Sequence, residues 1–118
     1  MPDRFRTFAL NPDNTAPNTV FTVPVADVAA TPPVPVTTFM VKTIVLHNQQ
    51  PSSFVDAILT YNDGSTDFEI FKFSVNYYSD YYINGTFIFE GGDSLIVTAS
   101  DANDLVIKVS VLEMKDQQ

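Results

Sequence analysis

A single histidine, His47, fourteen acidic side chains and no cysteine bound the chemistry this chain can carry. A Ser-His-Asp arrangement needs a serine exposed on a sharp turn beside its base, and no serine here sits in a nucleophile elbow. His47 closes an apolar run and reads as a strand-terminal residue. A lone imidazole without thiolates gives zinc almost nothing to bind. Glycoside hydrolysis would need two facing carboxylates, yet Asp56, Asp67, Glu69, Glu90 and Glu113 have no recognisable motif around them, and each is expected as a solvated charge on an outer face or rim. Asp63-x-x-x-Asp67 and Asp101-x-Asn103-Asp104 put hard oxygens in loops, but neither completes an EF-hand, and Asx residues favour turns in their own right. Gly91-Gly92-Asp93 lacks the Lys and Ser/Thr spacing of a phosphate-binding loop. Asn84-Gly85-Thr86 has the form of a glycosylation sequon, which matters only in a secreted chain. No catalytic residue, cofactor or metal is expected, and the chain reads as a non-enzyme.

Recognition is better provided for. Tyr77, Tyr78, Tyr81 and Tyr82 fall within six consecutive residues. Exposed tyrosines offer flat, amphipathic contact area at low entropic cost, suited to core or rim packing, to a protein interface or to stacking on sugar rings. A second candidate is Pro32-Pro33-Val34-Pro35. Either it is an ordinary proline-containing loop or it belongs to an arm that docks on a neighbouring subunit, since extended segments add to exposed sheet edges.

The elements that must position these residues are strands. The 118 residues are 45% hydrophobic, which suits one core and one domain. Ten Phe, five Tyr and recurrent Val, Ile and Thr favour strands, and no window carries an apolar stripe at the helical period. Prolines at 12, 17, 24, 32, 33 and 35 break up the first third, leaving short edge strands at 5–10 and 19–25. We divide the single domain into an extended N-terminal arm, 1–37, and a sandwich core, 38–114. The run FMVKTIVL, 39–46, is apolar at nearly every position, as expected of a strand buried on both faces or at a subunit contact. In 54–61, Val55, Ala57, Leu59 and Tyr61 share one face. Asn62-Asp63-Gly64-Ser65 turns the chain into 67–75, where the apolar set changes phase and predicts a β-bulge or a crossing between sheets at Ile70 and Phe71. Asn76 through Tyr82 is read as a link to a strand at 83–89. Strands at 95–99 and 105–111 follow, the last with Leu105, Ile107, Val109 and Val111 on one face. The tail after Met114 is expected to fray. Roughly eight strands with turns between them predict an antiparallel two-sheet β-sandwich, of jelly-roll or immunoglobulin-like topology.

A formal charge of −8, with six scattered basic residues, is the wrong sign for gripping a phosphate backbone and builds no polybasic membrane patch. No segment approaches the roughly 18 apolar residues of a membrane span. The expectation is a protein that binds other proteins and engages neither nucleic acid nor membrane.

The VKTIVLHN strand ending at Asn48, the FEGGDSLIVTAS block from Phe89 to Ser100, the VSVLEM strand from Val109 to Met114 and the upstream NTVFTVPVADV together resemble small β-sandwich virion proteins of tailed bacteriophages, of the capsid decoration, cement or tail-associated kind. The resemblance covers some 80 residues and brings no catalytic residue with it. It implies a homo-oligomer in the virion, assembled in the host cytoplasm, whose partner is the major capsid protein or another virion protein and whose role is to stabilise the phage head. The alternative is a tail, host-adhesion or carbohydrate-binding module that uses the tyrosine cluster.

Overall fold

The computed structural model describes residues 3–116, and among them it holds eight strands and no helix. These are β1 (Arg4–Leu10), β2 (Asn18–Thr22), β3 (Val36–Asn48), β4 (Val55–Asn62), β5 (Asp67–Val75), β6 (Asp80–Glu90), β7 (Ser94–Ala99) and β8 (Leu105–Asp116). They form two four-stranded antiparallel sheets, β1-β8-β3-β6 and β2-β7-β4-β5. The first strand pairs with the last, the second with the second to last, and so inward to the β4–β5 hairpin. This is a long hairpin rolled around its own turn, the jelly-roll topology, which decides between the two sandwich topologies.

One layer of the core can be followed across the molecule. In the first sheet Arg4, Glu113, Phe39 and Phe89 align across β1, β8, β3 and β6. In the second, Phe21, Leu95, Tyr61 and Phe68 align across β2, β7, β4 and β5. The two rows face each other: the Phe21 ring lies 5.3 Å from Phe39 and 5.0 Å from Phe89, and Tyr61 lies 5.4 Å from Phe89. Below it Val41, Ile44, Leu46, Val55, Ala57, Leu59, Val97, Ile107 and Val109 are all buried. Burial of this apolar area is the main force holding the two sheets together.

The bulge expected in β5 is present. Leu59 pairs with Phe71 and Thr60 with Glu69, so Ile70 is the extra residue and the inward set resumes at Phe71. A second bulge explains the apolar run in β3. Val41 pairs with Val111 and Thr43 with Ser110, leaving Lys42 over. Inward side chains therefore change from Thr37, Phe39 and Val41 to Ile44, Leu46 and Asn48, while Met40 and Val45 face outward, half-buried. The strand is buried on one face, and its near-continuous hydrophobicity is the sum of two phases.

Two other expectations change. Tyr81 and Tyr82 are not part of a link but belong to β6, opposite Leu46 and Val45, because only Asn76–Ser79 is needed for the turn. The segment after Met114 does not fray at once: Lys115 and Asp116 pair with Thr37 and Val36, and residues 117–118 lie outside the described region.

The edge strands β1 and β2 form one border of each sheet, with Phe21 and Val23 fully in the core and Phe8 and Leu10 packed against it. What projects from the N-terminal third is the stretch after Val23. It is tied down first by Val23, whose N–H donates to Asp93 O and whose carbonyl accepts from Gly92 N, both at 2.9 Å. It is then closed on itself by reciprocal 2.9 Å backbone hydrogen bonds between Asp27 and Val34.

Candidate functional site

The tyrosines occupy three different environments. Tyr77 and Tyr78 stand on the β5–β6 turn at one end of the sandwich and are 49% and 67% exposed. That turn is held from both sides: Tyr78 N donates to Gln50 O, Asn48 N donates to Ser79 O at 3.0 Å, and Asn76 Oδ1 accepts from Tyr77 N. Tyr78 adopts φ +48, a left-handed conformation uncommon for a bulky side chain, inside this hydrogen-bonded frame. Beneath it Asn48 is fully buried, donating to Ser53 O and Val75 O at 2.9 Å and accepting from Gln50 N at 2.8 Å. Two exposed aromatic side chains are thus carried on a rigid mount. Phe54, 57% exposed, lies just before β4 after the Asn48–Ser53 connection.

Tyr81 belongs elsewhere, with its ring 4.3 Å from Phe73 along the border between β5 and β6. Phe71, Phe73 and Phe87 continue that border, the Phe71 ring lying 5.7 Å from Phe73 and 5.6 Å from Phe87. Phe68 and Ile70 on β5 remain 48% and 38% exposed. Tyr82 points away from all of these, on the outer face of the first sheet. The four tyrosines therefore do not form one patch: Tyr77 and Tyr78 share a loop, Tyr81 joins an aromatic border, and Tyr82 stands apart. Pro32 and Pro33 are exposed and Val34 and Pro35 half-buried, in the loop closed at Asp27 and Val34 at the opposite end of the molecule.

Of the carboxylates expected as solvated charges, Glu113 is the exception. It is 1% exposed, and it accepts from Arg4 Nε at 2.6 Å and Arg6 Nη1 at 3.1 Å, with Lys115 Nζ 4.0 Å away. Burial alone would raise its pKa; the two guanidinium hydrogen bonds and the Lys115 charge outweigh that and hold it below the usual carboxylate value. Arg6 also lies over the Phe8 ring at 4.7 Å, so the cation covers the end of the aromatic layer.

Asp93, which follows two glycines, is also buried, and it accepts from Glu90 N and from the Tyr61 hydroxyl, each at 2.8 Å. The carboxylate hydrogen bond, with burial adding to it, pushes the Tyr61 phenol up to about 12. Replacing Tyr61 by Phe is expected to cost about 1–2 kcal/mol in urea unfolding, because Asp93 loses a partner. It should also remove the component of the ultraviolet tyrosinate signal that titrates at about 12. Since the folded phenol ionises later than an unfolded one, the stabilisation is complete below pH 10 and is lost as pH rises through 12.

His47 Nδ1 pairs with Asp80 Oδ1 at the start of β6, and both side chains are partly exposed. Asp63 caps its own turn, accepting from Ser65 N and Thr66 N, and Asp67 accepts from Asn62 Nδ2. Among the described residues no three His, Asp or Glu side chains converge as metal ligands. An open depression of about 300 Å³ on the outer face of the second sheet is lined by Thr15, Asp56, Ile58, Lys72, Thr98 and Ser100. Its carboxylate already accepts from Ser74 Oγ at 2.6 Å.

No protein-family model matches the chain, and no curated protein matches it. Solved structures do. The chain is similar to the Drosophila NLP core, a structure described for pentamer formation and histone binding, with a TM-score of 0.58, 13% identity and coverage of 98% of this chain and 99% of that one. It is similar to a chain of the T13 IBDV viral particle, with a TM-score of 0.56, 8% identity and 98% of this chain covered; it spans 31% of that longer chain. It is also similar to a chain in the capsid of Helicobacter pylori bacteriophage KHP30, with a TM-score of 0.55, 10% identity and coverage of 95% and 86%. At these identities the likeness is one of fold. The β-sandwich found here is shared with proteins of phage and viral particles.

Proposed function

We propose that this chain is a non-enzymatic structural virion protein, a capsid decoration or cement protein that binds the major capsid protein or a neighbouring virion protein and stabilises the phage head. The observation that carries the proposal is the rigidly mounted Tyr77–Tyr78 pair: exposed aromatics on an ordered loop lose little entropy when covered by a partner. Fold similarity to the KHP30 and IBDV particle chains supports the setting, and the β3, Phe89–Ser100 and β8 segments resemble those of phage virion proteins. The acidic surface keeps free subunits soluble until they meet their lattice. The proline loop at the other end, Pro32 to Pro35, is left to contact a second subunit.

Co-sedimentation with expanded phage capsids stripped of their decoration tests this. Stoichiometric binding is expected, and Tyr77→Ala with Tyr78→Ala should weaken it by about 30-fold or more, as loss of an aromatic anchor does. A protein that ignores capsids overturns the decoration role. Glycan binding abolished by Tyr77→Ala with Tyr78→Ala, the pair that shares a turn, would then establish the carbohydrate-binding alternative. A second reading draws on the net charge of −8 and the fold of Drosophila NLP: binding of a basic protein. That reading requires an affinity that falls steeply with salt and ignores the tyrosine substitutions.

A further inference from the structure

Arg4 and Phe68 lie at the same height on opposite borders of the sandwich. Arg4 begins the row that continues through Glu113, Phe39 and Phe89, and Phe68 ends the facing row through Tyr61, Leu95 and Phe21. Both belong to edge strands, whose outer edges pair with no other strand among the described residues. The β1 border offers a cation beside an apolar side chain: Arg4, preceded by the exposed Asp3, keeps 61% of its side chain exposed while engaging Glu113, and Phe5 beside it is 80% exposed. The β5 border is anionic and apolar: Asp67 and Glu69 are exposed on either side of Phe68, and the bulge pushes Ile70 outward. The basic residues are divided in the same sense over the two sheets. Five of the six basic residues, Arg4, Arg6, Lys42, Lys108 and Lys115, are on strands of the first sheet, and Lys72 is the only one on the second.

We propose that the β5 border of one copy seats on the β1 border of the next. Asp67 and Glu69 then face Arg4 of the neighbour, and Phe68 and Ile70 cover its Phe5. Because the two borders are different surfaces at one height, repetition of the contact is a rotation about an axis along the strands; such a head-to-tail contact gives a ring where the rotation closes and an open filament where it does not, and the ring is the arrangement proposed. A β5 border meeting its own copy would bring Asp67 and Glu69 against like charges, which disfavours a two-fold pairing through it. The partner is thus a second copy of this chain, and salt weakens the contact. The proposal rests on reading the chain as an assembling subunit but fails separately from it, since a monomer can still decorate a capsid.

Light scattering coupled to size-exclusion chromatography, run on the full chain at low and high salt, is the first measurement. A ring is expected at low salt, with association weakened in high salt. Phe68→Ser with Glu69→Arg spoils one border and Phe5→Asp spoils the other; all three side chains are exposed, and circular dichroism melting checks that each variant folds. Each variant alone should be monomeric, with association weakened by about tenfold or more. Mixed in equal amounts, they should form a one-to-one pair, because each keeps the border the other lacks. A wild-type monomer, variants that still form the ring, or folded variants that fail to pair on mixing would each overturn the proposal. Capsid co-sedimentation of the same variants reads the decoration role independently.

Discussion

Phe39→Ala is expected to lower the free energy of unfolding by about 4 kcal/mol, the range found when a fully buried phenylalanine is truncated. Phe39 is 1% exposed and central to β3, and its ring meets both Phe8 at 5.6 Å and Phe21 at 5.3 Å. It therefore joins the first sheet to the edge strands of both sheets at once. The surrounding rings are fixed by strands and cannot readily collapse into the space left behind, which keeps the loss well inside the roughly 3–5 kcal/mol of its class. Urea unfolding followed by circular dichroism measures it, as a lower midpoint at unchanged slope. Phe5→Ala, on a side chain that touches little of the core, is the control and should move the midpoint by no more than about 0.5 kcal/mol. A similar loss at both positions would mean that the aromatic layer does not hold the sheets together.

Replacing Arg4 and Arg6 together by Ala should cost about 3 kcal/mol, since it leaves the Glu113 carboxylate buried without its two donors. The effect depends on pH in a defined sense. In the wild-type fold Glu113 titrates below its ordinary 4.5, so its stabilisation is complete above that value and is lost as pH falls through the lowered one. In the double variant burial is no longer outweighed, the folded carboxyl titrates above its unfolded value, and protonation relieves the cost. The stability gap between the two proteins should therefore be widest near neutrality and narrow below pH 4.5. A gap that stays constant down to acid would show that the arginines act through packing on Phe8 and Phe39 rather than through charge.

Much of this architecture is legible because period-two patterning reports the face of each residue. The β5 bulge was readable from Phe68, Ile70 and Phe71 alone, since the apolar set changes parity there. The same device in β3 was hidden: outward Met40 and Val45 are themselves apolar, so the change of phase at Lys42 looked like burial on both faces. Glu113 carried a signal that charge obscured. It keeps the parity of Leu105, Ile107, Val109 and Val111, and an acidic residue in phase with a buried set calls for a cationic partner, which here comes from the far end of the chain. Asp93 lacked even that signal, because Gly91-Gly92-Asp93 suffices for a turn and nothing local announces the Tyr61 hydroxyl. The tyrosine cluster was visible as composition but not as geometry. Whether Tyr81 and Tyr82 lie in a loop or a strand sets which of them face each other, and that is decided by pairing with β3.

The nested pairing also orders events during synthesis. β4 and β5 can close their hairpin as soon as both leave the ribosome, and β6 and β7 then find β3 and β4 already present. Of the eight strands β1 emerges first and must wait for β8, its strand partner among the described residues, with Phe8 and Leu10 lacking that sheet throughout translation of everything between them. Slowing translation between β1 and β8 should therefore increase aggregation of this protein rather than relieve it.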